Sequence, residues 1–217
     1  MLFDRKYKTP INHKKVRRIK RDLSLFTTIR RKSKFRAIYT KGQEHCAVPN
    51  LVGRKFSNPN LILVDITEMR IANGQKSFVF AMKNALTREI VGLEVSSRPT
   101  MELARKPVER FLKANRGEFL FHSDQGTHFT VQSFRSLLKN HGVRQSMSRK
   151  GNCHDNAPIE SFFGHLKDEI DYRHCQNVKE LEKTLRKYVD YYNLQRPQWD
   201  LDRKTPAEAR VALGLVY

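Results

Sequence analysis

Residues 122–170 read "HSDQGTHFTVQSFRSLLKNHGVRQSMSRKGNCHDNAPIESFFGHLKDEI", and they follow the apolar run "EFLF" at 118–121. The run and its continuation "HSD" predict a buried strand that ends at Asp124. "VQSFRSLLKNHG" has helical spacing and a stop at Gly142, and "VRQSMS" reads as another short strand. Glu160 then sits near the start of a helix whose apolar stripe is Ile159, Phe162, Phe163, Leu166 and Ile170. Pro158 suits the first turn of that helix, where its missing N–H costs nothing.

Upstream lie three runs rich in apolar and β-branched residues, "LILVDIT" (61–67), "KSFVFAMK" (76–83) and "EIVGLEV" (89–95). Their connections are too short for a crossover helix, so an antiparallel meander is expected. A helix is expected over 99–115, where Leu103, Val108, Phe111 and Leu112 share a face despite Pro107. The order is therefore β-β-β-α-β-α-β-α. Right-handed crossovers place strands four and five beside strand one, in an α/β fold with a mixed five-stranded sheet and helices on both faces. Asp65 on strand one and Asp124 at the end of strand four become neighbours, and the start of the Glu160 helix packs against both. "VKELEKTLRKYVDYYN" (178–193) adds a helix, and Thr205 and Pro206 open a last short one.

The 217 residues carry 42 Lys and Arg against 22 Asp and Glu, a net charge of +20 and a pI near 10.2. Such a balance points to a polyanionic partner, nucleic acid before membrane. Residues 1–60 hold 17 basic and 3 acidic side chains, net +14, and the remainder holds 25 and 19, net +6. Within 11–36, Ile11, Val16, Ile19, Leu23 and Phe26 recur among cations at helical spacing, which predicts a basic helix. From Arg30 to Pro59 the periodicity is lost and a linker or strap is expected. The division read from the sequence is a basic helical N-terminal segment, 1–57, and a globular core, 58–217. Cys46, Cys153 and Cys175 are odd in number and scattered, so neither a disulfide framework nor a zinc spacing is visible. The longest apolar run, "LILV" at 61–64, is too short to span a bilayer, and the N-terminus lacks the apolar region of a signal peptide. The expectation is a cytoplasmic chain without a membrane partner.

Either acid alone has an ordinary explanation, Asp65 as a turn or cap residue and Glu160 as a first-turn acid favoured by the helix dipole. Three converging carboxylates do not, because like charges a few ångströms apart repel and raise each other's pKa. Hard divalent ions with oxygen ligands, Mg²⁺ or Mn²⁺, are the fitting compensation. Two of them about 3.5–4 Å apart would clamp the attacking and leaving oxygens of a phosphodiester.

The segments "HSDQGTHFT", "SMSRKGNCHDNAPIESFFGHLKDE" and "YYNLQRPQWDLDRKTPAEA" resemble the integrase-like core of bacterial transposases of the insertion-sequence-three group, relatives of retroviral integrase. The resemblance runs from about residue 58 to the C-terminus, and the 35 residues between Asp124 and Glu160 match the family spacing. It implies a ribonuclease-H-like fold, an Asp-Asp-Glu triad of Asp65, Asp124 and Glu160, and metal-dependent cleavage and strand transfer of DNA. The expected partners are the insertion-sequence ends, the target DNA, and further copies of the chain on DNA. Lys167 is implied as a phosphate holder. Arg149 and Lys150, and Lys14, Lys15, Arg17 and Arg18 of the basic helix, are further candidate DNA contacts. His122, Ser123 and Asn156 beside the acids are candidates to orient a carboxylate. Tyr191, Tyr192, Asn193 and Arg196 match the family's C-terminal pattern, with core packing and DNA contact both open.

Three positions or regions depart from the pattern. Ile62 stands where the family has tryptophan, and Asn84 where it has aspartate. The helical region ahead of the family core is represented only by "INHKKVRRIKRDLSL", so the expectation is a chain shortened at its start or completed by the product of an upstream reading frame. Two alternative activities stand beside transposition: a ribonuclease-H-like nuclease that only hydrolyses, and a shortened chain that binds DNA or partner subunits without catalysis.

Overall fold

The computed structural model describes residues 11–25, 48–149 and 151–215. Lys150 and residues 26–47, which include Phe26 of the expected helix, most of the expected linker and Cys46, lie outside the described residues. The chain divides into two units, residues 1–44 and 45–217.

In the first unit the basic run forms α1 (His13–Asp22). The Asn12 side chain caps it by accepting from the Lys14 amide at 2.9 Å, and Lys20 and Arg21 complement the dipole in the last turn. No residue of α1 is buried, and Val16 and Ile19 of its apolar stripe are exposed along with the cations.

In the second unit β1 (Leu61–Arg70), β2 (Lys76–Asn84) and β3 (Ile90–Ser96) form the expected antiparallel meander. Helix α2 (Met101–Ala114) crosses to β4 (Leu120–Ser123), which pairs in parallel with β1. Two helices, α3 (Thr127–Thr130) and α4 (Gln132–Asn140), lead to β5 (Arg144–Met147), parallel to β4. The sheet order is β3-β2-β1-β4-β5, with strands four and five beside strand one as the crossover rule requires. Helices α5 (Ala157–Glu169), α6 (Val178–Leu194) and α7 (Pro206–Ala212) complete the fold.

Alternation along β1 separates two cores. Leu61 and Leu63 join Ile159, Phe162, Phe163 and Leu166 of α5 and Leu181, Leu185, Tyr188 and Tyr192 of α6. Ile62 and Val64 join Val108 and Phe111 of α2 and Phe134 and Leu138 of α4 on the other face. Ile62 is fully buried, so the aliphatic side chain at the departed position is a packed core residue.

Residues 48–57, the tail of the segment read as basic and N-terminal, pack with the second unit. Val52 is buried in the α5–α6 core, and Val48 packs against the other. The Leu51 amide donates to Ser146 Oγ at 2.9 Å. Among the described residues no helix is long and apolar enough to cross a membrane.

Candidate active site

Leu63 of β1 lies opposite His122 of β4, and two residues further along each parallel strand come Asp65 and Asp124. Asp65 has the parity of Leu61 and Leu63, so it lies on the sheet face that α5 covers. Glu160 occupies the first turn of α5, and the burial of Ile159, Phe162, Phe163 and Leu166 fixes which way it turns. The side chain of Asn156, the cap of α5, donates to the Val64 carbonyl at 3.4 Å, immediately before Asp65.

The three acids interact electrostatically. The Asp65 carboxyl is held well above the usual carboxylate range by burial first, then by Asp124 and Glu160, against the opposing pull of the Ile66 N–H and Lys167. Burial also raises Asp124, offset by the Gly126 N–H and by His128. Glu160 is raised by burial and then by Asp124, with His154 opposing. Asp65 Oδ1 accepts from the Ile66 amide at 2.7 Å, and Asp124 Oδ1 accepts from the Gly126 amide at 2.8 Å. A β-carbon at residue 126 would stand 2.8 Å from that Oδ1, so glycine is required for the backbone to meet the carboxylate this closely. The donor set is carboxylate oxygen, the chemistry of a hard cation. Among the described residues no three His, Cys, Asp or Glu side chains already stand grouped as ligands.

Lys167 lies on the same side as the acids, with its ammonium donating to Thr67 Oγ1, two residues beyond Asp65. Arg149 pairs with Asp155, Nε to Oδ2 and Nη2 to Oδ1, both at 3.0 Å. Lys14, Lys15, Arg17 and Arg18 are exposed on α1. The three candidates for orienting a carboxylate act on the site's backbone and strands. The His122 ring bridges Ser146 Oγ (2.9 Å) and Ser148 Oγ (3.1 Å), clasping β4 to β5 and the residue after it. Burial lowers its pKa to about 4, with Asp155 opposing, so the ring is neutral at physiological pH. Ser123 Oγ donates to the Asp124 carbonyl at 2.8 Å.

Two residues that the sequence reading passed over are structurally central. Asp155 is fully buried and accepts from Arg54 Nε, Asn50 Nδ2 and the Arg149 amide as well as from the Arg149 guanidinium. It ties the 48–56 strap to the turn before α5. Lys83 is 1 % exposed within β2. The only sequence signal for either is a charge next to an apolar or motif residue, which surface positions share.

The C-terminal pattern packs the core. Asn193 accepts from the Ile90 amide and donates to the Ile90 carbonyl, both at 2.9 Å, which extends the hydrogen bonding at the start of β3. Arg196 pairs with Glu169 at the end of α5 (2.6 Å), and Tyr188 donates to the same carboxylate at 3.0 Å. Asn84 donates to the Pro59 carbonyl at 2.7 Å and accepts from the Leu86 and Thr87 amides. An aspartate would keep the two accepted bonds and lose the donated one.

The integrase core domain family matches residues 57–153, and a second integrase core domain family matches residues 141–206. The putative transposase InsK of insertion sequence element IS150 from Escherichia coli K12 is 37% identical over 206 residues, covering 92% of this chain and 71% of that protein. An uncharacterized transposase-like protein of Haemophilus influenzae is 34% identical over 215 residues, covering 97% of this chain and 98% of its own length. Among solved structures, the catalytic core domain of HTLV-2 integrase, in complex with magnesium, superposes with a TM-score of 0.54 at 13% identity, over 70% of this chain and 95% of that one. That likeness establishes the ribonuclease-H-like integrase fold. With the sequence relatives covering nearly the whole chain, the protein belongs to the integrase-core transposases of the bacterial insertion-sequence-three group, enzymes of the Asp-Asp-Glu polynucleotidyl transferase class.

Proposed function

We propose that Asp65, Asp124 and Glu160 together hold divalent metal ions, Mg²⁺ or Mn²⁺, and that this site cleaves insertion-sequence ends and joins them to target DNA. The observation that carries the reading is the electrostatic contact of three acids whose pKa values are all raised by burial, Asp65 further by Asp124 and Glu160, and Glu160 further by Asp124. Repelling carboxylates destabilise a fold unless a cation offsets them. The magnesium in the HTLV-2 integrase structure supports the choice of metal.

Asp65, Asp124 and Glu160 would hold such a cation, which would supply positive charge to a phosphate. The chain's own residues set the geometry. The Gly126 amide fixes Asp124, the Ile66 amide fixes Asp65, and the packed stripe of α5 fixes Glu160. Lys167 holds a phosphate beside Asp65, and Arg149 and Lys150 bind the backbone on the approach to α5. Lys14, Lys15, Arg17 and Arg18 in the basic segment attract the duplex by charge. The chain then comprises that basic segment and the catalytic core, and several copies act together on DNA in the cytoplasm.

The test is cleavage and joining of a plasmid that carries the coding sequence with its native flanks. Product with Mg²⁺ and none in EDTA is expected. Equal product in EDTA overturns the metal-dependent reading.

A further inference from the structure

Lys83 is a cation where the sequence pattern calls for a core residue. It shares the face of Ala81 on β2, pairs across the sheet with Leu63, and is 1 % exposed. Its ammonium donates to the Pro158 carbonyl at 2.7 Å and to the Tyr192 hydroxyl at 3.2 Å, and it stands 5.7 Å from the Tyr192 ring centroid. Burial first, then repulsion by Arg88 and Arg196, brings its pKa from 10.5 to about 7.

Burying an ammonium without a carboxylate is costly, and the positive end of a helix dipole gives no relief. Stability alone favours an apolar side chain of the same length. What the ammonium provides is a tether. Pro158 is two residues ahead of Glu160 in the first turn of α5. Tyr192, the second partner, packs edge-on against Phe162 of the same helix, with centroids 5.0 Å apart. Lys83 thus joins three elements at one point: the strand paired with the Asp65 strand, the start of the Glu160 helix, and α6.

We propose that Lys83 is a positioning residue of the transposase reaction, which sets the height of the first turn of α5 against the sheet and thereby places the Glu160 carboxylate opposite Asp65 and Asp124. The inference rests on the catalytic reading of Glu160. Its cost in stability is offset by the geometry it enforces, since a misplacement of about 1 Å at a reacting group costs up to about 100-fold in rate.

The experiment compares full-length wild type with Lys83→Met, Lys83→Gln and Glu160→Gln in DNA cleavage, duplex affinity and thermal unfolding. Lys83→Met is expected to raise the unfolding midpoint by several degrees, to lower kcat by about tenfold or more, and to leave KM for DNA within about twofold. Lys83→Gln restores an N–H donor for the Pro158 carbonyl and is expected to recover part of the kcat. A Lys83→Met protein with wild-type kcat, or Met and Gln variants of equal activity, overturns the positioning role. Activity surviving in Glu160→Gln defeats the catalytic reading instead, so the two failures are separable.

Discussion

Replacing Asp155 by Ala removes the acceptor that ties the 48–56 strap to the turn before α5. Five hydrogen bonds end on its two oxygens, from Asn50, Arg54, and the amide, Nε and Nη2 of Arg149. Counting each at the value of a charged bond would overstate the loss, because the Arg54 and Arg149 side chains are 47% and 60% exposed and recover water when released. The Asn50 amide and the Arg149 N–H regain solvent less readily. An unfolding free energy lower by about 3 kcal/mol is therefore expected, against about 7–15 kcal/mol for a simple sum of charged bonds. The pH dependence gives a second check. The arginines, Arg149 first, hold the Asp155 carboxyl below its ordinary 3.8. A lowered acid pKa contributes stability that is present above the unfolded value and is lost as pH falls through the folded one. The gap between wild type and variant, read by urea denaturation, should be constant near neutrality and shrink below about pH 4. A gap under about 1 kcal/mol, or one unchanged between pH 7 and pH 3, refutes the reasoning.

Gly126→Ala puts a β-carbon 2.8 Å from Asp124 Oδ1. Because a short side chain yields rather than the fold, cleavage should fall at least about tenfold while stability stays within about 0.5 kcal/mol, measured by plasmid nicking and urea unfolding. Changing Lys14, Lys15, Arg17 and Arg18 to Ala should flatten the slope of log affinity against log salt by up to about 0.9 per lost phosphate contact, as read by fluorescence anisotropy across a salt series. Phe163 is 5% exposed in the α5–α6 core, so Phe163→Ala should cost about 3–5 kcal/mol in chemical denaturation.

The strand order and the neighbourhood of Asp65, Asp124 and Glu160 were legible because each rests on local information. The apolar, β-branched run "LILVDIT", connections too short for crossovers, and the stripe from Ile159 to Leu166 determine the sheet and the face of α5. The interactions of Lys83, Asp155 and Asn193 were not legible. Apart from Arg149, six residues before Asp155, their partners lie 75 to 109 residues away, and a lysine in a strand or an aspartate before a helix looks the same in sequence whether it is solvated or buried. The stretch 48–56 was read only as part of a linker or strap for a related reason. It has no periodicity, and its attachment depends on the Asp155 carboxylate, some 100 residues further on.

The central claim, that three acids form one cation-dependent site for phosphoryl transfer, is tested most directly by strand-transfer rates at saturating Mn²⁺ for Asp65→Asn, Asp124→Asn and Glu160→Gln, each against wild type. These substitutions keep side-chain volume and remove charge, so duplex binding and folding serve as internal controls. The account predicts loss of joining by about 100-fold or more in every one of the three, with duplex affinity retained. Joining at the wild-type rate in any one of them contradicts it.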